Sequence, residues 1–144
     1  MKRIEALAPL SRDHHNSLIL AQLLKKGAPK YKELPTQLEE KRDYALQHFE
    51  EHIKSHFIQE EIVLKSVKHI DSSINLICIE IFDEHKKLHQ LFSSLKNSVD
   101  IENALDEIGI LLEAHIRKEE RILFPILQEK CSTDELNRIH QQLH

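Results

Sequence analysis

Apolar positions recur three and four residues apart along most of the chain, which is the period of helices with one buried face. Leu7, Leu10, His14, Leu18, Ala21 and Leu24 share one such face, on a helix that opens near Pro9 to Ser11 and stops at Gly27 and Pro29. Pro35 and Thr36 signal the start of a second helix, which runs to about Lys68. "HIDSSIN" reads as a turn with Asp71 or Ser72 as N-cap. A third helix covers "INLICIEIFDEHKKLHQLFSSL", and "KNSVD" breaks it. The fourth is "IENALDEIGILLEAHIRKEERILFPILQE", which Pro125 is predicted to kink near its end. "CSTDELNRIHQQLH" carries a cap signal and a short C-terminal helix over 133–143. The pattern predicts an all-α fold. It reads as an antiparallel, up-down four-helix bundle over about residues 10–128, in a single domain spanning 1–144.

Composition agrees with helices: 2 Gly, no Trp and 31% charged residues leave little turn chemistry for a sheet. The formal net charge of −4 argues against a nucleic-acid partner. The N-terminus has no apolar run fit for a signal peptide. The most apolar segment, "INLICIEIF", is interrupted by Glu80, so no membrane span is expected. Cys78 and Cys131 make neither a disulfide framework nor a thiolate metal site, and free thiols suit a cytoplasmic protein. Histidine is the anomaly, at 11 residues.

Several of these histidines fall on the apolar stripes. "KSHFIQEEIVL" and "EAHIRKEERILFP" each set a His four residues before a Glu, on one face of a helix, giving the pairs His56–Glu60 and His115–Glu119. Ile53, Phe57 and Leu64 flank the first pair. Ile108, Leu111, Leu112, Ile122 and Leu123 flank the second. His14 lies between Leu10 and Leu18, and His85 shares a stripe with Cys78, Ile81, Phe82, Leu88 and Phe92. Each half of the chain thus offers one lone His and one H-x-x-x-E. Unpaired buried carboxylates and imidazoles are costly, and a cation resolves that cost. Six nitrogen and oxygen donors in a pseudo-symmetric set fit two metals better than one, with iron, manganese or zinc as acceptable ions. Without metal, the two facing glutamates are expected to have raised pKa values. Ferritin-like di-iron proteins use Glu-x-x-His, a spacing found nowhere in this chain. No hydrolytic or transferase motif is present.

The motifs "SRDHHNSL", "SHFIQEEIVL", "DEHKKLHQLF" and "AHIRKEERILFP", in that order, make the chain resemble the hemerythrin-like family of HHE cation-binding domains. The resemblance implies a four-helix bundle around two iron ions bridged by oxide or hydroxide. It implies binding of dioxygen, nitric oxide or related species in sensing, scavenging or stress response, with an electron donor as partner. Carried over by motif, the ligands are His14, His56, Glu60, His85, His115 and Glu119. His15 adjoins His14 but lies about 100° round the helix, which makes it second choice. His89 forms H-x-x-x-H with His85, a pair that oxygen carriers of the family have on this helix, and is a candidate fifth histidine. His52, one turn before His56, is a candidate outer donor. The carriers place an Asp five residues after the last ligand His. Here Glu119 stands at four and Glu120 at five, which speaks against simple reversible oxygen carriage and leaves Glu120 a minor candidate. A metal-binding module without redox turnover, storing or sensing iron or zinc, is the alternative. Glu61 and Glu120 read as solvent-facing partners of Lys and Arg, and His48 and His69 as solvated.

Overall fold

The computed structural model describes residues 3–144, and among them every regular element is helical. A 3₁₀ turn, Glu5–Leu7, leads into α1 (Ala8–Leu24) with Pro9 in its first turn, where the missing N–H costs nothing. Gly27, at φ +72°, makes the turn that follows. α2 (Leu38–His48) and α3 (Lys54–Val67) are one helical body joined by a π turn, Phe49–Ile53. Asp71 caps α4 (Ser72–Leu95) by accepting from Ser73 N–H at 2.8 Å. α5 (Ile101–Lys118) continues through a second π turn, Glu119–Leu123, into α6 (Phe124–Lys130). α7 (Thr133–Leu143) starts at a capping box in which Ser132 and Glu135 satisfy each other's backbone N–H. No helix among the described residues is long and apolar enough to cross a membrane.

The π turns are the main departure from the expected elements. In each, a backbone N–H reaches five residues back: Lys54 to Phe49 O, and Phe124 to Glu119 O. The second precedes Pro125, which has no N–H for the carbonyl four residues back, so the ladder is interrupted there by widening. The first has no proline or glycine to announce it.

α1 and α4 both pack on α5, and α7 closes over α3 and the first 3₁₀ turn. The interior has two apolar clusters. One gathers Leu7, Leu10, Leu64, Ile81, Phe124 and Leu127. The other gathers Leu20, Phe49, Phe57, Leu88, Phe92 and Leu112. Burying such side chains supplies about 1.5–3 kcal/mol each. On all four long helical bodies the candidate ligands fall where the stretch that builds one cluster gives way to the stretch that builds the other, so a polar layer sits between two dry ones.

Gly109 lets α5 touch α1. A Cβ there would meet Ala21 O at 2.7 Å and Lys25 Cγ at 3.1 Å. The oxygen is backbone and cannot move aside. Gly109→Ala is therefore expected to destabilise the fold by about 1–3 kcal/mol, read by thermal unfolding.

Candidate metal centre

Among the described residues the buried polar or charged side chains are His14, His56, Glu60, His85, His115 and Glu119. Glu60 and Glu119 are wholly enclosed, at 0% exposure. H-x-x-x-E spacing puts each Glu one turn beyond its His. Glu119 N–H still donates to His115 O, so that turn is intact where the π turn begins.

The six groups form two overlapping sets. His14, His56, Glu60 and Glu119 offer ligand atoms within 4.8 Å of one another, and so do His85, His115, Glu60 and Glu119. Both glutamates belong to both sets. Glu60 faces His56 with Oε2 at 3.4 Å and His85 with Oε1 at 2.8 Å. Glu119 Oε1 lies 3.1 Å from both His14 Nε2 and His115 Nε2. Donors around one ion at about 2.1 Å sit about 3.0–3.4 Å apart, so this spacing suits ions between the groups. His14 Nε2, His56 Nε2, His115 Nε2, Glu60 Oε2 and both Glu119 oxygens are buried with no hydrogen-bond partner, since their close approaches lack hydrogen-bond angles. Buried polar atoms are rarely left unpaired, and here they converge. The donor set therefore fits two cations.

Each histidine is held from behind by a different carboxylate. His14 Nδ1 donates to Glu120 (2.6 Å), His56 Nδ1 to Asp13 (2.9 Å), His85 Nδ1 to Glu61 (2.8 Å) and His115 Nδ1 to Glu84 (2.7 Å). The bonds make a ring: each long helical body lends an acid to the histidine of the next, and the last serves the first. This puts a proton on each Nδ1 and aims each Nε2 inward, where that of His85 lies 2.8 Å from Glu60 Oε1. Glu61 and Glu120 are thus not solvent-facing helix pairs. Their position beside an inward ligand lets them reach across to a neighbouring helix. Asp13 and Glu84 were not singled out in the sequence, although each directly precedes a ligand His. Arg3 and Ser11 donate to Glu120, and Lys118 pairs with Glu84.

The remaining candidates lie outside the cluster. His15 is exposed on α1. His89 is exposed and sets its ring edge against Phe49, 4.9 Å between centroids, so it does not join His85. His52 is exposed in an outer pocket. His48 is half-buried rather than solvated, because the rings of Tyr44 and His52 cover it. Ile122 is 47% exposed and does not flank the site, since the π turn faces it outward. Burial pushes the Cys78 and Cys131 thiols up to about 11, as suits inert core residues.

Burial alone would lower the histidine pKa values, but contacts with Glu119 and Glu120 and the charge of Glu60 raise His14 to about 9. Against the same burial, Asp13, Glu60 and Glu119 raise His56 to about 10. Glu119, Glu84 and Glu60 raise His115 to about 10. Glu119 is held well below its ordinary value: burial pushes it up, but the positive His115 and contacts with Glu60, His115 and His14 prevail. The expectation of raised values for both glutamates is thus corrected at Glu119, because the surrounding imidazoles take up positive charge when no cation does.

One side of the centre opens on a cavity of about 10 Å³, room for about one water. Ile53, Phe57, Leu112 and Ile116 make it largely apolar.

Residues 78–144 match the model of the hemerythrin family, described as the hemerythrin HHE cation binding domain. That stretch carries His85, His115 and Glu119, so the resemblance read from the motifs is shown there. Comparison with curated proteins and with solved structures gives no match.

Proposed function

We propose that this hemerythrin-type HHE cation-binding chain holds two iron ions, bridged by Glu60 and Glu119, and binds dioxygen, nitric oxide or a similar small species. The observation that carries the reading is the sharing of both glutamates by two histidine pairs, with every inward atom except the bonded His85 Nε2 and Glu60 Oε1 lacking a hydrogen-bond partner. His14 and His56 would hold one ion, and His85 and His115 the other. Charge supports two divalent ions: two inner and four outer carboxylates, with Glu80 and against Arg3 and Lys118, leave a net −5, which the two ions would reduce to −1. In this reading residues 1–144 are one domain and the four long helical bodies run antiparallel, in a cytoplasmic protein served by an electron donor. Iron bound here would supply reversible one-electron redox chemistry. The protein's part is to orient each imidazole through Nδ1, to line a small cavity beside the ligand atoms, and to keep bulk water out with Ile53, Phe57, Leu112 and Ile116.

The outer ring gives this reading a graded test. Glu84→Gln keeps the shape but removes the charge behind His115, and should weaken metal binding about 10–100-fold at unchanged stoichiometry, read by chelator competition. A second reading is a non-redox zinc module. It is favoured by one observation: with His89 outside, each ion has two nitrogens and two oxygens, the four ligands zinc accepts. Visible absorption separates the two. Iron-loaded protein should colour on air oxidation and shift again with azide or nitric oxide. Protein that stays colourless in air while holding stoichiometric zinc would replace the first reading with the second.

A further inference from the structure

The six inner groups are nearly sealed, the most exposed being His56 at 7%. A cation must therefore enter by a particular flank. Two of the four outer carboxylates carry a positive neighbour: Glu120 is paired with Arg3 and Glu84 with Lys118. Each positive neighbour offsets the pull of its carboxylate on an approaching cation, although Lys118 also meets Glu80 at 3.4 Å. Asp13 and Glu61 have no Lys or Arg ion pair among the described residues.

Against Asp13 lies a polar cavity of about 180 Å³, lined by His48, His52, Gln59 and the outer side of His56. It shares Ser17 and His56 with the small inner cavity, so the two meet at the edge of the centre. His48, His52 and His56 stand four residues apart in turn. They form a ladder along one helical body that ends on a proposed ligand. The His48 and His52 rings are 4.9 Å apart, and His48 Nε2 is shielded from solvent without a hydrogen-bond partner. Burial, then the neighbouring His52, hold the His48 pKa below its ordinary value against the opposing charge of Glu51, which leaves its lone pair free. Imidazoles bind divalent transition ions, and an i, i+4 pair can replace two waters of a hydrated ion before it reaches the apolar inner cavity.

We infer that His48 and His52 form a transient capture site for a divalent transition-metal ion, which passes it between Ser17 and His56 to the buried centre. The inference rests on the dinuclear reading above and adds the route by which the centre is filled.

The test follows the visible bands of Co²⁺ after mixing with metal-free full-length protein. His48→Ala/His52→Ala should load about tenfold more slowly, through the loss of local ion concentration at the mouth. It should reach the same two ions per chain and the same final spectrum. His69→Ala, which removes an exposed histidine elsewhere, should load at the wild-type rate. An unchanged rate in the double variant overturns the route and leaves the dinuclear reading standing. A lower final stoichiometry also overturns it, since the pair would then be part of the stable site. Wild-type protein that takes up no cobalt at equilibrium would remove the dinuclear reading and the route together.

Discussion

Replacing Glu119 with Ala is expected to cut bound metal from two ions per chain to one or none. The residual affinity should fall by more than about 100-fold, beyond the range for losing an outer partner. The size follows from geometry. Glu119 Oε1 stands 3.1 Å from both His14 Nε2 and His115 Nε2, so one substitution removes a ligand and a negative charge from both sets. Glu60 alone would then bridge the ions, and their mutual repulsion would be less screened. Elemental analysis and chelator competition read the outcome, with far-UV circular dichroism to verify the helices. His15→Ala, by contrast, should change neither stoichiometry nor affinity, because His15 is exposed and outside both sets.

The second large effect is proton-coupled binding. At pH 7 the metal-free protein carries protons on His14, His56 and His115, whose pKa values stand at about 9, 10 and 10. A metal needs the same Nε2 atoms without a proton. Loading at pH 7 should therefore release about three protons per chain, measured by calorimetry in buffers of different ionisation enthalpy. Affinity should rise with pH up to about 10, the slope easing from about 9, where His14 deprotonates unaided.

The same shifts set the stability of the metal-free form. A histidine raised above its ordinary 6.5 adds stability that is complete below 6.5 and lost as pH climbs through the folded value. The melting temperature of metal-free protein should thus fall from about pH 6.5 to about pH 10. Glu119 acts oppositely: held below its ordinary 4.5, it adds stability that is present above 4.5 and lost in stronger acid. Metal-free protein is then most stable between those limits. Loaded protein should be flatter over the alkaline range, since metal has already displaced those protons. Binding without proton release would show that these imidazoles are not the ligands.

That the six inner residues face the core was legible in the sequence, because their phase with apolar neighbours places them there. His56 and Glu60 share a stripe with Ile53 and Phe57, and a polar residue in phase with a core face is either paired or ligating. The carboxylate ring was not legible. Asp13, Glu61, Glu84 and Glu120 each sit one residue from an inward ligand, about 100° round the helix, where a single helix shows only a solvent-facing acid. Their bonds are interhelical, and a helical wheel contains no neighbour. The available signal was repetition: an acid directly precedes both lone histidines and directly follows both glutamates. The Phe49–Ile53 π turn left no mark, being set by tertiary packing. Pro125 did mark the other interruption, though as a kink rather than a widened turn. His48 misled because its shelter comes from two rings, Tyr44 and His52, each one helical turn away.

Each of these expectations for bound metal turns on the proposed pair of ions bridged by Glu60 and Glu119. The measurement that meets it most directly is anomalous diffraction at the iron edge from crystals of iron-loaded protein. Two peaks per chain are expected on opposite sides of the glutamate pair, one beside His14 and His56 and the other beside His85 and His115. A single peak, or iron bound anywhere else, would contradict it.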